Sequence, residues 1–201
     1  MESHSSRPLS PLVFLFPVGQ TSPLPATPRL GLAQIPSSAF GDGSHPTTRL
    51  CAGAVDFLCR TQAISNFLDV GTGTGVLARI ARARGAKFVA GTDIDPLALE
   101  AAQRNADLDG ASLPIAFENA PPDHWGTHFD LITANILEEP LRELAPALVR
   151  ALVPGGQLLL SGFTRLQAPG LRLWYQSFGM QLLSESELDG WILMHLAKAQ
   201  H

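Results

Sequence analysis

The sequence predicts an α/β fold built on a mostly parallel, seven-stranded sheet with helices on both faces and an antiparallel pair at its C-terminal end. Three observations carry that expectation. Short apolar runs alternate with helical patterns from residue 67 to residue 177, the arrangement that covers a parallel sheet on both sides. One run, Phe67-Leu68-Asp69-Val70, breaks into Gly71-Thr72-Gly73-Thr74-Gly75 just before a helix begins. Two further runs flank Glu187-Leu188-Asp189-Gly190 and read as a closing hairpin.

The elements follow in order. Residues 1–36 form a proline-rich lead, expected to be irregular or partly docked, because Pro8, Pro11, Pro17, Pro23, Pro25, Pro28 and Pro36 interrupt any helix or central strand. Its apolar patches at 13–18 and 30–35 suit edge strands or arms lying on the main domain, which is expected to span 37–201. A glycine-bearing loop, 39–49, leads into a helix whose Leu50, Cys51, Ala54, Val55 and Leu58 share one face. Ser44 or His45 would cap it, with Pro46 in the first turn. After the glycine turn, Val76, Leu77, Ile80 and Ala81 point inward while Arg79, Arg82 and Arg84 are expected outward, and Gly85 stops the helix. A strand at 88–92 ends in Asp93, and Asp95-Pro96 opens a helix running to about residue 109. Residues 113–117 read as a third strand and 129–134 as a fourth, which delivers Asn135-Ile136-Leu137. A helix follows from 140 to 152, irregular at Pro146. Pro154-Gly155-Gly156 reads as a turn, 157–163 as a strand, 167–177 as a helix, and 180–185 with 190–197 as the hairpin.

Composition narrows the function. With 201 residues, 45% of them hydrophobic, the chain can bury one substantial core. A net charge of −4 argues against an extended nucleic-acid surface. No apolar run approaches a membrane span, and a cytoplasmic location is the expectation. Cys51 and Cys59 lie about 12 Å apart along one helix, too far to bridge, and read as small buried apolar groups. His124 and His128 have no matching ligand set, so no metal is expected.

The glycine turn carries the chemistry. Glycine removes the side chain between a ligand and the backbone and tolerates positive φ. A dinucleotide fingerprint needs glycines at first, third and sixth positions; here the sixth is Val76 and the fifth is Gly75. With Asp69 ahead of the turn, the spacing favours an S-adenosylmethionine site over a nicotinamide site, a close packing turn being the structural alternative. Asp93, roughly twenty residues on, stands where a βαβ unit presents a carboxylate to a ribose. Glu118-Asn119-Ala120 would either border the adenine or form a plain turn. In sheets of this kind the ligand lies beyond the carboxyl ends of the strands, where Gly71, Asp93 and Asn135 all fall.

Taken together, the stretches 39–49, 69–77, 91–98, 134–137, 140–148 and 154–162 resemble the bacterial methyltransferases that modify ribosomal protein L11. The Phe-Gly-x-Gly-x-His-Pro-Thr-Thr run from Phe40 and the Asn135-Ile136-Leu137 run are the specific ones. The resemblance implies a Rossmann-like class I methyltransferase that uses S-adenosyl-L-methionine, with cofactor contacts at Thr48, Gly71, Asp93 and Asn135; the turn itself adds Asp69 and Gly73. It implies a protein substrate, with methyl groups going to lysine or α-amino groups. The chain departs from the family in carrying a short lead where a recognition domain is usual, so a small amine or another protein stays open as acceptor, as does a cofactor-binding interaction module without catalysis. Asp42, Glu138 and Glu139 are unexpected acids, which would either attract a cationic amine or simply sit at a helix start that favours acids.

Methyl transfer is an in-line displacement, so holding a neutral nucleophile on axis is the main task. A lysine amine with pKa near 10.4 costs roughly 4–5 kcal/mol to present neutral at pH 7. The Asn135 side-chain oxygen and the Ile136 carbonyl are the expected catalytic groups, accepting hydrogen bonds from the amine and aiming its lone pair. His45 is either a proton relay or a loop-holding residue.

Overall fold

The computed structural model describes residues 7–19, 29–110 and 114–200. Pro23, Pro25, Pro28 and residue 113 of the expected third strand lie outside them. The chain runs through β1 (Arg7–Ser10), β2 (Val13–Pro17), β3 (Leu30–Gln34), α1 (Pro46–Thr61), β4 (Asn66–Val70), α2 (Val76–Ala83), β5 (Phe88–Thr92), α3 (Pro96–Asp107), β6 (Ala116–Glu118), β7 (Phe129–Asn135), α4 (Glu138–Ala151), β8 (Leu152–Thr164), α5 (Ala168–Gln176), β9 (Met180–Leu188) and β10 (Trp191–Lys198).

Seven strands make the main sheet in the order β6-β5-β4-β7-β8-β10-β9. Pairings from β6 to β8 are parallel, and β10 runs antiparallel to both β8 and β9. The order reverses between β4 and β7, which opens a crevice beyond their carboxyl ends. Alternation along β4 sends Phe67 to one core layer, under α1 and α2, and Leu68 and Val70 to the other, under α4 and α5. Asp69, two residues from Phe67, is buried on the Phe67 side.

The lead forms a sheet of its own, β1-β2-β3, antiparallel then parallel, instead of extending the main one. Leu9, Val13, Leu15 and Leu32 are buried in the same cluster as Cys51 and Val55 of α1. Those apolar side chains are what hold a proline-rich segment against the domain.

Helix starts follow their caps. His45 caps α1, its ring nitrogen accepting from Thr47 N–H, and Asp95 caps α3 through Leu97 N–H. Two expectations, those for Arg79 and for the Pro154-Gly155-Gly156 turn, need correction. Arg79 does not point outward: it is fully buried, with Nε and Nη2 each 2.7 Å from the Asp109 carboxylate and Nη2 2.6 Å from the Ala33 carbonyl. The lead covers that helix face, and a guanidinium there must be paired because leaving it unpaired costs several kcal/mol. The irregularity expected at Pro146 is local, and α4 runs through it. Lacking N–H, Pro146 leaves the Arg142 carbonyl without its helix donor, and the Trp174 indole supplies one at 3.0 Å. Pro154-Gly155-Gly156 belongs to β8 at the register shift opposite Phe129 and Leu131.

Candidate active site

The turn after β4 is held from below and from above. Beneath it, both Asp69 oxygens are engaged, Oδ2 accepting from the Thr72 hydroxyl at 2.8 Å and Oδ1 from the Thr133 hydroxyl at 2.6 Å. Burial pushes the Asp69 carboxyl up to about 6, against those two hydrogen bonds, with the Asp93 charge adding to the rise. Above it, Thr74 N–H donates to the Phe40 carbonyl at 2.8 Å. Gly73 has φ +53°, and a Cβ built on it would lie 2.2 Å from that carbonyl oxygen. Only glycine fits between the turn and the loop that roofs it.

Asp93 closes the next strand tip. Its Oδ2 accepts from Gly73 N–H at 3.0 Å and its Oδ1 from Asp95 N–H at 3.0 Å. Each carboxylate oxygen retains a second lone pair. Asp93 therefore both anchors the turn and presents acceptors to the crevice.

At the end of β7, Asn135 Oδ1 is buried with no hydrogen-bond partner. Ile136 is locked beside it: Gly162, at φ +96°, is where a Cβ would meet the Ile136 carbonyl oxygen at 2.1 Å. The tip of β8 thus needs glycine to let β7 deliver Asn135 and Ile136 to the rim.

These tips surround a cavity of ≈ 670 Å³ whose walls include Phe40, Gly71, Gly73, Asp93, Asn135 and Ile136. Five of those are site residues expected from the sequence: Gly71, Gly73, Asp93, Asn135 and Ile136. Two other expected contacts are not on the wall. Asp69 lies under the turn as its brace. Thr48 is buried in α1, its Oγ1 without a partner, while Thr47, one residue and about 100° earlier around the helix, is on the wall. The Asp95 side chain, though at the rim, is occupied in capping α3.

Sequence reasoning missed Trp191. It enters from the hairpin turn and packs edge-on against His45, ring centroids 4.7 Å apart, while Phe40 lies 5.3 Å from the same imidazole. Arg49 reaches Asp189 at 3.2 Å and ties that hairpin turn to α1. No local pattern around Trp191 signals this position. His45 Nδ1 lies 2.8 Å from the Thr47 hydroxyl, so that nitrogen serves the loop. Glu138 is paired with Arg142 at 2.8 Å within α4, Glu139 is exposed, and neither is on the cavity wall. Asp42 accepts from the Ser44 backbone and hydroxyl and pairs with Arg7, so it too is committed to its loop. Cys51 and Cys59 are both free, and burial pushes the Cys59 thiol up to about 12. Among the described residues no group of three or more His, Cys, Asp or Glu is placed to hold a metal, and no helix is long and apolar enough to cross a membrane.

Residues 14–199 match the family model for ribosomal protein L11 methyltransferase (PrmA). A ribosomal protein L11 methyltransferase from Hydrogenovibrio crunogenus is 41% identical over 167 residues, covering 81% of this chain and 54% of the relative. The chain spans about half the length of the curated relatives it matches. Among solved structures, the ribosomal protein L11 methylase from Lactobacillus delbrueckii subsp. bulgaricus superposes with a TM-score of 0.86 at 30% identity, covering 96% of this chain and 98% of that one. The N-methyltransferase NodS from Bradyrhizobium japonicum, solved with S-adenosyl-L-homocysteine, superposes at 0.61 and 17% identity over 77% of this chain and 89% of its own, a likeness of fold.

Proposed function

The chain belongs to the ribosomal protein L11 methyltransferase family, and from that premise we propose that it transfers methyl groups from S-adenosyl-L-methionine to amino groups of a protein, a ribosomal protein being the first candidate. The observation that carries this reading is the buried, unpartnered Oδ1 of Asn135 on the wall of the cavity that Gly71, Gly73 and Asp93 also line. A buried acceptor left without a donor costs about 1–3 kcal/mol, so the position is built for an incoming N–H.

The cavity fits the methyl donor. Its ≈ 670 Å³ falls within the roughly 300–1,000 Å³ usual for ligands of that size. Gly71 and Gly73, whose missing side chains make room for Ile136 and the Phe40 carbonyl, would hold the turn's backbone beside the donor, and Asp93 would accept from the ribose hydroxyls. When bound, S-adenosylmethionine would supply an electrophilic methyl carbon, open to in-line attack by a neutral nitrogen as the C–S bond breaks and sulfur leaves as the neutral thioether. Asn135 Oδ1 and the Ile136 carbonyl would each accept an amine hydrogen, which points the nitrogen lone pair along the remaining direction. Phe40, Val70, Ile136, Leu144 and Trp191 make the wall largely apolar, and such surroundings disfavour ammonium over amine. Phe40 and Trp191 would pack along the aliphatic stem of the acceptor. Thr48 and Asp69 take supporting roles in this scheme, one under the helix start and the other under the turn.

The working domain in this reading is 37–201 with the lead docked on it, acting in the cytoplasm. Calorimetry with the methyl donor, then labelled-methyl transfer into a lysate from cells lacking the protein, tests the proposal. A labelled ribosomal band supports it. Label in another protein or in a small amine moves the acceptor elsewhere, binding without transfer reduces the chain to a cofactor-binding module, and binding of a nicotinamide cofactor overturns the donor reading.

A further inference from the structure

The glycine turn is tied to the N-terminal sheet by a buried side chain that the methyl-transfer scheme does not use. Asn105, on α3, has no exposed surface. Its Oδ1 accepts from Ile35 N–H at 2.9 Å, just past the end of β3, and its Nδ2 donates to the Thr74 carbonyl at 3.0 Å. The two partners fix the amide's orientation, since one is a donor and the other an acceptor. Elsewhere along α3 the buried positions Ala98, Ala101 and Ala102 are apolar. A position that only had to pack would take such a residue, because burying a primary amide is costly unless both ends are bonded.

The same stretch of chain grips the turn from its other side. Phe40 and Gly41 accept from the Thr74 N–H at 2.8 Å and the Thr74 hydroxyl at 2.9 Å. Upstream, Arg79 from α2 fixes the Ala33 carbonyl. The backbone N–H, backbone C=O and hydroxyl of Thr74 are thus bonded either to residues 40–41 or, through one amide, to residue 35. The lead is anchored to both helices that flank the turn, and Phe40, which roofs the cavity, follows five residues after Ile35.

We infer that Asn105 is a positioning residue through which the N-terminal sheet sets the shape of the glycine turn, and with it the affinity for the methyl donor; this rests on the donor reading given above. A partner or covalently attached segment that shifts β3 then changes donor binding without touching the cavity.

Two substitutions break the link from opposite ends. Asn105→Asp keeps an oxygen for Ile35 N–H but loses the donor to Thr74. Ile35→Pro removes the N–H and leaves Asn105 intact. Gln103→Ala, exposed on the same helix, is the control. Amide hydrogen exchange of the whole chain without ligand and calorimetry with S-adenosylmethionine are measured on each. Both link variants are expected to speed exchange at Gly73–Gly75 and to weaken donor binding about tenfold, with α4 amides and the Gln103→Ala protein unchanged. Wild-type protection of the turn in either link variant, donor affinity within about twofold of wild type, or faster exchange spread equally over α4 overturns the inference. If the wild-type protein binds no donor, the donor reading fails, and exchange at the turn alone decides whether the link exists.

Discussion

The turn after β4 and the tip of β7 lie across one crevice from each other and are built on opposite plans. At the turn, nearly every polar group is already bonded within the protein: Asp69 to Thr72 and Thr133, Asp93 to Gly73 and Asp95, Thr74 to Phe40, Gly41 and Asn105. At the tip of β7, Asn135 Oδ1 has nothing. The difference separates the two tasks of a group-transfer site. A cradle must hold its shape before the ligand arrives, so its bonds are internal. The group that orients the nucleophile must stay open, because its partner arrives with the substrate.

Breaking the cradle should have the largest effect. Gly73→Ala forces a Cβ to within 2.2 Å of the Phe40 carbonyl at a φ that L residues avoid. Donor affinity is expected to fall by at least about 100-fold, equivalent to about 2.7 kcal/mol, and calorimetry on protein whose circular dichroism shows it folded checks this. If affinity survives, the turn is not the cradle.

Asn135→Ala addresses the open side. Turnover should fall about 100-fold, the cost of misplacing a reacting group by about 1 Å, with the melting temperature unchanged or slightly raised, since an orphaned buried oxygen has been removed. Single-turnover kinetics at saturating donor is the measurement, and turnover near wild type would remove Asn135 from the reaction.

A pH series sharpens what Asp69 does beneath the turn. Its carboxyl is raised from 3.8 to about 6 in the folded protein. Between those values the folded state binds more protons than the unfolded one, so stability falls as pH rises through that window. Asp69→Asn should flatten this slope, read as urea midpoints from pH 4 to 7; an unchanged slope would mean the carboxyl ionises normally. The smallest effect belongs to the exposed acid at the start of α4. Glu139→Gln should change kcat/KM for a protein acceptor by less than about twofold, because its carboxylate is exposed and off the cavity wall, where water screens its charge. A larger drop would give that acid a part in attracting the amine.

Much of this site is legible along the chain because strand, glycine turn and acid at the next strand tip are local patterns. Gly71, Gly73, Asp93, Asn135 and Ile136 all stand at ends of elements whose periodicity marks them. Arg79 is misread for the opposite reason: helical periodicity gives it a direction but not what covers that direction. Nothing near residue 79 announces that Ala33 and Asp109 will enclose it. Thr47 and Thr48 differ by one step around a helix whose phase depends on how it docks. Trp191 reaches the cavity because a hairpin folds back and sets its ring against His45.

The sequence by itself determined the alternation of elements, the cradle's glycines and the acids that follow them, because these are set by short-range sterics and by the period of apolar residues. Tertiary structure alone decided which side chains share a space. Asp69 became a brace by reaching Thr133, 64 residues on, Asn105 a tie to the lead by bonding Thr74 and Ile35, 31 and 70 residues back, and Trp191 a cavity wall beside His45. The physical reason is that burial and pairing depend on what packs overhead, and no local window of sequence contains that.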